Sequence, residues 1–95
     1  MLEKVKNMIK LQREARQIKK ELQNIHIESE SDGVLVTING EQIIISIAWP
    51  DEMAQDPKKL QKNLLIALNK GLKKSQQIAA EKMKGVMGQL GMPGA

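Results

Sequence analysis

The chain predicts an α+β fold in the order α-β-β-β-α, a three-stranded antiparallel meander flanked by two long helices. Three observations predict it. Apolar residues recur at helical spacing near both ends but alternate with period two in the middle. Two dipeptides that favour tight turns, Asp32-Gly33 and Asn39-Gly40, punctuate that middle stretch. Charge is sorted along the same boundaries: residues 1–24 hold seven Lys/Arg and three acids, residues 25–57 hold seven acids and no Lys/Arg, and residues 58–95 hold eight Lys and one acid. The blocks therefore carry +4, −7 and +7, which together make the net charge of +4.

In the first block Met1, Met8, Ala15 and Leu22 recur every seven residues, as do Leu11, Ile18 and Ile25, which makes a narrow seam of the coiled-coil type. Leu2, Val5 and Ile9 widen it in the first turns. No Gly or Pro interrupts residues 1–24, so a helix of about 20 residues, ~30 Å long, is expected. A small sheet cannot accommodate that length, so part of the helix should project or pair with another.

From Asn24 to Ser31 the period becomes two, with Ile25 and Ile27 on one face and His26, Glu28 and Glu30 on the other. Asp32-Gly33 closes a hairpin into the strand Val34–Ile38. Asn39-Gly40 then closes a second hairpin into Gln42–Trp49, which Pro50 stops because it has no N–H for a ladder. Pro50–Asp56 reads as an acidic loop. Asp56-Pro57 is a helix start, with Asp as N-cap and Pro at the first helical position. Leu60, Leu64, Leu68 and Leu72 follow every four residues, joined by Leu65, Ala67, Ile78, Ala79 and Met83. Gly71 interrupts this helix at a cost of about 1 kcal/mol relative to Ala, which implies a neighbour that comes close. Glycines at 85, 88, 91 and 94, with Pro93, divide the chain into a single domain at 1–84 and a flexible Gly/Met-rich tail at 85–95.

Trp49 is the one aromatic residue among 95, so Ile, Leu, Val and Met must form the core. The strands carry Ile25, Ile27, Val34, Val36, Ile43, Ile45 and Ile47, more apolar surface than two helices of one copy can cover. A homodimer is the expected remedy. The absence of Cys excludes disulfides, thiolate metal sites and cysteine nucleophiles, and suits the cytosol. The N-terminus lacks the apolar run of a signal peptide, and Ile43–Trp49 is far too short to span a bilayer, so no membrane association is expected.

Catalytic chemistry finds little support. His26 is the only histidine, and Glu28 and Glu30 read as solvated carboxylates on a strand face. Asp51, Glu52 and Asp56 lack the spacing and the glycine of a calcium loop, and no Gly-rich phosphate loop joins a strand to a helix. The expectation is a protein that is not an enzyme, with no cofactor, no metal and no small-molecule substrate.

Basic helical arms around an acidic sheet instead suggest a polyanion binder, although Lys-rich helices are also simply well solvated. A lone Trp cannot make a stacking platform for single strands, and no helix-turn-helix is present. What remains is phosphate contact on duplex DNA with little base readout. The candidates are Lys6, Lys10, Arg13, Arg16, Lys19 and Lys20 on the first helix, and Lys70, Lys73, Lys74, Lys82 and Lys84 on the last.

Taken in order, the first helix, Ser31-Asp32-Gly33-Val34, the run Val36-Thr37-Ile38-Asn39-Gly40, the strand ending at Pro50, and Glu81-Lys82-Met83 before a Gly/Met/Pro tail resemble the YbaB/EbfC family of nucleoid-associated proteins. The resemblance covers nearly the whole chain. It implies an α-β-β-β-α homodimer whose helices protrude like tweezers and bind DNA, in the cytoplasm and at the nucleoid. Trp49 stands where the family usually has Asp, and Ile43-Ile44-Ile45 replaces a more polar strand. A different class of function is a dimeric interaction or chaperone-like module, in which the helical seams and the adaptable side chains of Met53, Met83, Met87 and Met92 hold a protein partner.

Overall fold

The computed structural model describes the backbone of residues 2–89 and the side chains of residues 6–85. Helix α1 spans Leu2–Asn24. Strands β1 (His26–Ser31), β2 (Val34–Asn39) and β3 (Ile44–Ala48) follow, then a 3-10 turn at Asp51–Gln55 and helix α2 at Pro57–Gln89. The strands form one antiparallel sheet in the order β1-β2-β3.

The first hairpin has the chemistry its sequence calls for. Ser31 pairs with Val34, and Asp32 (φ 47) and Gly33 (φ 89) both occupy the left-handed region between them, as a two-residue primed turn requires. The second connection differs from the expected Asn39-Gly40 turn. The loop runs to Ile43, β3 begins at Ile44 rather than Gln42, and Gln42 (φ 65) rather than Gly40 holds the left-handed conformation. Asn39 organises this longer loop through its side chain: Oδ1 accepts from the N–H groups of Glu41 at 2.9 Å and Ile43 at 3.1 Å. Such side-chain bonding to the following backbone is what asparagine offers a turn. Further along, Ser46 lies opposite Thr37 but Ile44 opposite Ile38, so Ile45 has no partner of its own on β2 and the strand is bulged.

Helix α2 packs on one face of β1 and β2. Val34, Val36, Ile38 and Ala67 are fully buried there, with Leu60, Leu64, Leu68 and Leu72 around them. Period-two burial on β1 follows from the same packing: Ile27 and Ser29 face the helix, while His26, Glu28 and Glu30 face solvent. Gly71 gives the close approach its position implied, since a Cβ there would lie 2.5 Å from Cδ1 of Ile38 and 3.4 Å from Cβ of Ser29. Two polar contacts fix the helix along the sheet. Ser31 Oγ donates to Asn63 Oδ1 near one end, and Ser75 Oγ donates to the Asn39 carbonyl near the other, each at 2.8 Å. Where an acidic loop was expected, the 3-10 turn inserts Met53 into the core at 8% exposure, so this methionine is unavailable to a partner. Asp56 caps α2 as expected, its Oδ1 accepting from Lys59 N–H at 3.2 Å. Helix α2 continues past Gly85 to Gln89; the side chain of Met87 and residues 90–95, including Met92, lie outside the described residues.

Coverage of the sheet stops at β2. Ile27, Val34 and Val36 are buried, so the apolar excess expected across all three strands is confined to β3 and its flanks. Every residue of β3 is exposed, and Ile43, Ile44, Ile45, Ile47 and Trp49 are each between 40% and 53% accessible. Helix α1 meets the sheet through its last turn, where Leu22 is buried and its carbonyl accepts from Gly40 N–H at 2.7 Å, and Glu14 and Ile18 are half-buried beyond it. Further out, Met8, Ile9 and Leu11 are exposed. About 28 Å of α1 thus projects from the sheet, which together with the 33-residue α2 gives the molecule its 65 × 21 × 13 Å extents.

Candidate nucleic-acid interface

All eleven cations singled out in the sequence are exposed. On α1, Lys6, Lys10, Arg13 and Lys20 recur at three-, four- and seven-residue intervals, which sets them on the side of the helix opposite the apolar seam of Met8, Leu11, Ala15, Ile18 and Leu22. Arg16 and Lys19 both lie to one side of that stripe, Lys19 nearer the seam. Because only the last turn of α1 meets the sheet, these cations are presented on an arm clear of it. Glu14 and Glu21 are the acids among the described side chains of this helix.

On α2, Lys70, Lys73 and Lys74 share one flank with Gln77 at the i, i+3, i+4, i+7 spacing. Together with Ser29 and Glu30 of β1 they line a concavity at the sheet edge. Lys70 Nζ donates to the Glu30 carbonyl at 3.3 Å. Beyond the sheet, Lys82 meets Glu21 at 3.3 Å, an exposed ion pair that joins α2 to the last turn of α1. Pairs this exposed contribute at most about 1 kcal/mol and are screened by salt, so Lys82 is easily released to another anion. Lys84 is exposed one turn from the helix end. The structure therefore sorts the candidates into an arm set, a sheet-edge set and a bridging pair around Lys82.

The acids of β1 and of the segment leading into α2 are placed away from the arm. Glu28 and Glu30 face solvent from β1, while Asp32, Asp51, Glu52 and Asp56 gather around the start of α2, where Asp32 pairs with Lys59 at 3.2 Å. Among the described residues no three His, Asp or Glu side chains gather as metal ligands, and no helix is long and apolar enough to cross a membrane. Sequence reasoning missed Ser29 and Gln77 at the sheet edge. Helical spacing alone would have placed Gln77 beside the lysines, whereas Ser29 reaches them only through the packing of α2 on β1.

This arrangement can hold an extended anion along basic helices while its acidic sheet face and acidic end turn elsewhere. The sequence profile of the YbaB/EbfC DNA-binding family matches residues 1–90. The chain belongs to that family. A nucleoid-associated protein of Pelotomaculum thermopropionicum is 34% identical over 99% of this chain and 93% of its own length, and one of Syntrophobacter fumaroxidans is 35% identical over 88% and 80%. The crystal structure of an uncharacterized Helicobacter pylori protein superposes with a TM-score of 0.81 at 21% identity, covering 84% of this chain and 88% of that one, which shows a shared fold. For this YbaB/EbfC family member, the two-helix, three-strand architecture expected from its sequence is the architecture observed.

Proposed function

We propose that the protein is a homodimeric, nucleoid-associated duplex-DNA-binding protein of the cytoplasm, holding phosphates through Lys and Arg of α1 and α2 with little sequence preference. The observation that carries this reading is the projection of the basic stripe on α1, Lys6, Lys10, Arg13 and Lys20, on an arm free of the acidic sheet. Lysine and arginine at helical intervals suit a phosphate backbone, and no aromatic platform accompanies them to read bases. Catalysis, a cofactor and a membrane have no part in this function.

The homodimer is argued from β3. An edge strand with three exposed isoleucines, flanked by exposed Ile43 and Trp49, is an aggregation hazard unless covered. Beside it, Leu64, Leu65 and Leu68 of α2 line an apolar depression edged by Lys58 and Lys62. A second copy applied by a two-fold axis covers both surfaces at once, and two such dimeric arms extend the phosphate-contacting surface.

A gel-shift titration on duplexes of unrelated sequence at two salt concentrations tests the proposal. With about six phosphate contacts, affinity should fall about 10³-fold between 50 and 200 mM salt. Replacing Lys10, Arg13 and Arg16 by Ala should weaken all duplexes alike and flatten the salt slope. If affinity and slope are unchanged in a folded variant, the DNA reading fails. A second reading, a dimeric module that binds a protein partner, is favoured by the exposed seam residues Met8, Ile9 and Leu11 and by Met83 at 46% exposure; it moves ahead on that outcome.

A further inference from the structure

The concavity between α2 and the free edge of β1 has features that generic backbone contact does not require. It measures about 290 Å³ and is lined by Ser29, Glu30, Lys70, Lys73, Lys74 and Gln77. Three ammonium groups against one carboxylate leave it with two net positive charges. That carboxylate is engaged elsewhere, since Glu30 Oε1 accepts from Gly33 N–H at 2.7 Å and is held toward the hairpin turn.

Backbone donors add to the side chains. Because Lys70 reaches the Glu30 carbonyl from outside the sheet, Glu30 points its main-chain groups away from β2. In an antiparallel pair the N–H and C=O of a residue turn to the same side and alternate along the strand, so the amides of Glu28 and Glu30 also face the open edge. Ser29 between them is 2% exposed, and its Oγ is buried with no hydrogen-bond partner. Buried hydroxyls are nearly always bonded, so this one, beneath a concavity lined by three lysines, is a donor without its acceptor.

We propose that this concavity is a phosphate seat, in which Lys70, Lys73, Lys74 and Gln77 surround the anion and Ser29 supplies a hydroxyl from the floor. The proposal rests on the phosphate-contact reading above for its ligand class, and goes beyond it in assigning one discrete site. The size is at the lower limit of ligand pockets, roughly 300 Å³, and suits a phosphate or pyrophosphate group rather than a whole nucleotide. The seat lies at the β1 edge, and the apolar surface offered to a second copy lies at the opposite edge, so dimerisation leaves it open. The concavity lined by Asp32, Glu52, Asp56 and Lys59 has three carboxylates against one ammonium, the opposite sign, and repels the same ligand. A seated backbone phosphate would fix the register of the protein on a duplex without reading sequence; a free phosphate ester would compete for the same place.

Inorganic pyrophosphate is the probe, titrated into the full chain and followed by amide NMR shifts. Saturable shifts confined to residues 28–30 and 70–77 are expected, abolished by the combined substitution Lys70→Gln, Lys73→Gln and Lys74→Gln. Ser29→Ala should weaken binding roughly tenfold, the worth of one hydrogen bond to a charged group, without lowering Tm. Shifts spread evenly over the lysines of α1 and α2, or undiminished affinity in Ser29→Ala, overturn the seat. Displacement of bound duplex by pyrophosphate identifies a DNA phosphate as occupant, whereas a localised shift that leaves duplex binding untouched identifies a free phosphate; both uphold the seat. Localised pyrophosphate binding by a protein that binds no duplex sinks the DNA reading and keeps the seat, and duplex binding without a localised shift does the reverse.

Discussion

Replacing Gly40 by alanine tests the joint between the α1 arm and the sheet. A Cβ at this position would lie 2.8 Å from the Leu22 carbonyl oxygen and 3.0 Å from Leu22 Cα. These are backbone atoms that no rotamer change can move, so the last turn of α1 must shift and the 2.7 Å bond from Gly40 N–H to Leu22 O must lengthen. Overpacking costs ~1–3 kcal/mol, and opening a buried hydrogen bond costs a similar amount. The two are alternative ways of relieving one clash, so about 2–3 kcal/mol is expected rather than their sum. Gln42→Gly is the control with the opposite sign. It relieves a left-handed residue at φ 65, worth ~1–2 kcal/mol, against ~0.5–1 kcal/mol of added backbone freedom, for a net gain of about 0.5–1 kcal/mol. Urea unfolding of both variants at one protein concentration, with the slope checked for constancy, gives the values. A Gly40→Ala protein within about 0.5 kcal/mol of the parent, the range of an ordinary surface change, would refute the close-approach argument. Loss of stability in both variants would instead restore the tight Asn39-Gly40 turn.

The dimer is tested at β3. Its three isoleucines and the preceding Ile43 are each a little under or over half exposed, so they retain roughly two side chains' worth of transfer free energy, ~3–5 kcal/mol per protomer, and Ile47→Glu should turn a dimer into a monomer by sedimentation at micromolar concentration; a parent protein that is already monomeric there refutes the interface. Trp49, 43% exposed in one copy, should show emission that shifts to the red in the same variant, and unchanged emission would place it outside the contact. Asp56→Ala should cost ~1 kcal/mol in urea unfolding through loss of the N-cap, and no change would show that Pro57 alone sets the start of α2. Replacing Glu28 and Glu30 by Gln removes two charges that repel phosphate, so duplex affinity should hold or rise; a marked loss would mean that this strand face itself contacts DNA.

Much of this protein was legible because its elements are specified locally. The seven-residue seam of α1, the alternation of β1, the Asp32-Gly33 turn and the Asp56-Pro57 start of α2 each depend on residues within a few positions of one another, so spacing and turn chemistry suffice to place them. The cationic set was legible for the same reason, since charge on a helix face is a matter of spacing. Tertiary structure decided everything that depends on which surface meets which. Gly40 is a glycine because Leu22, eighteen residues earlier, approaches it, and Asn39 then builds a longer loop than the dipeptide implied. Met53 is core rather than surface because a 3-10 turn folds it under α2. Seven apolar strand residues looked alike in sequence, yet α2 covers β1 and β2 and leaves β3 bare, because one helix is narrower than three strands. The Ser29 hydroxyl came beside the lysines of α2 in the same way, brought across forty residues of chain by a packing contact that no local pattern encodes.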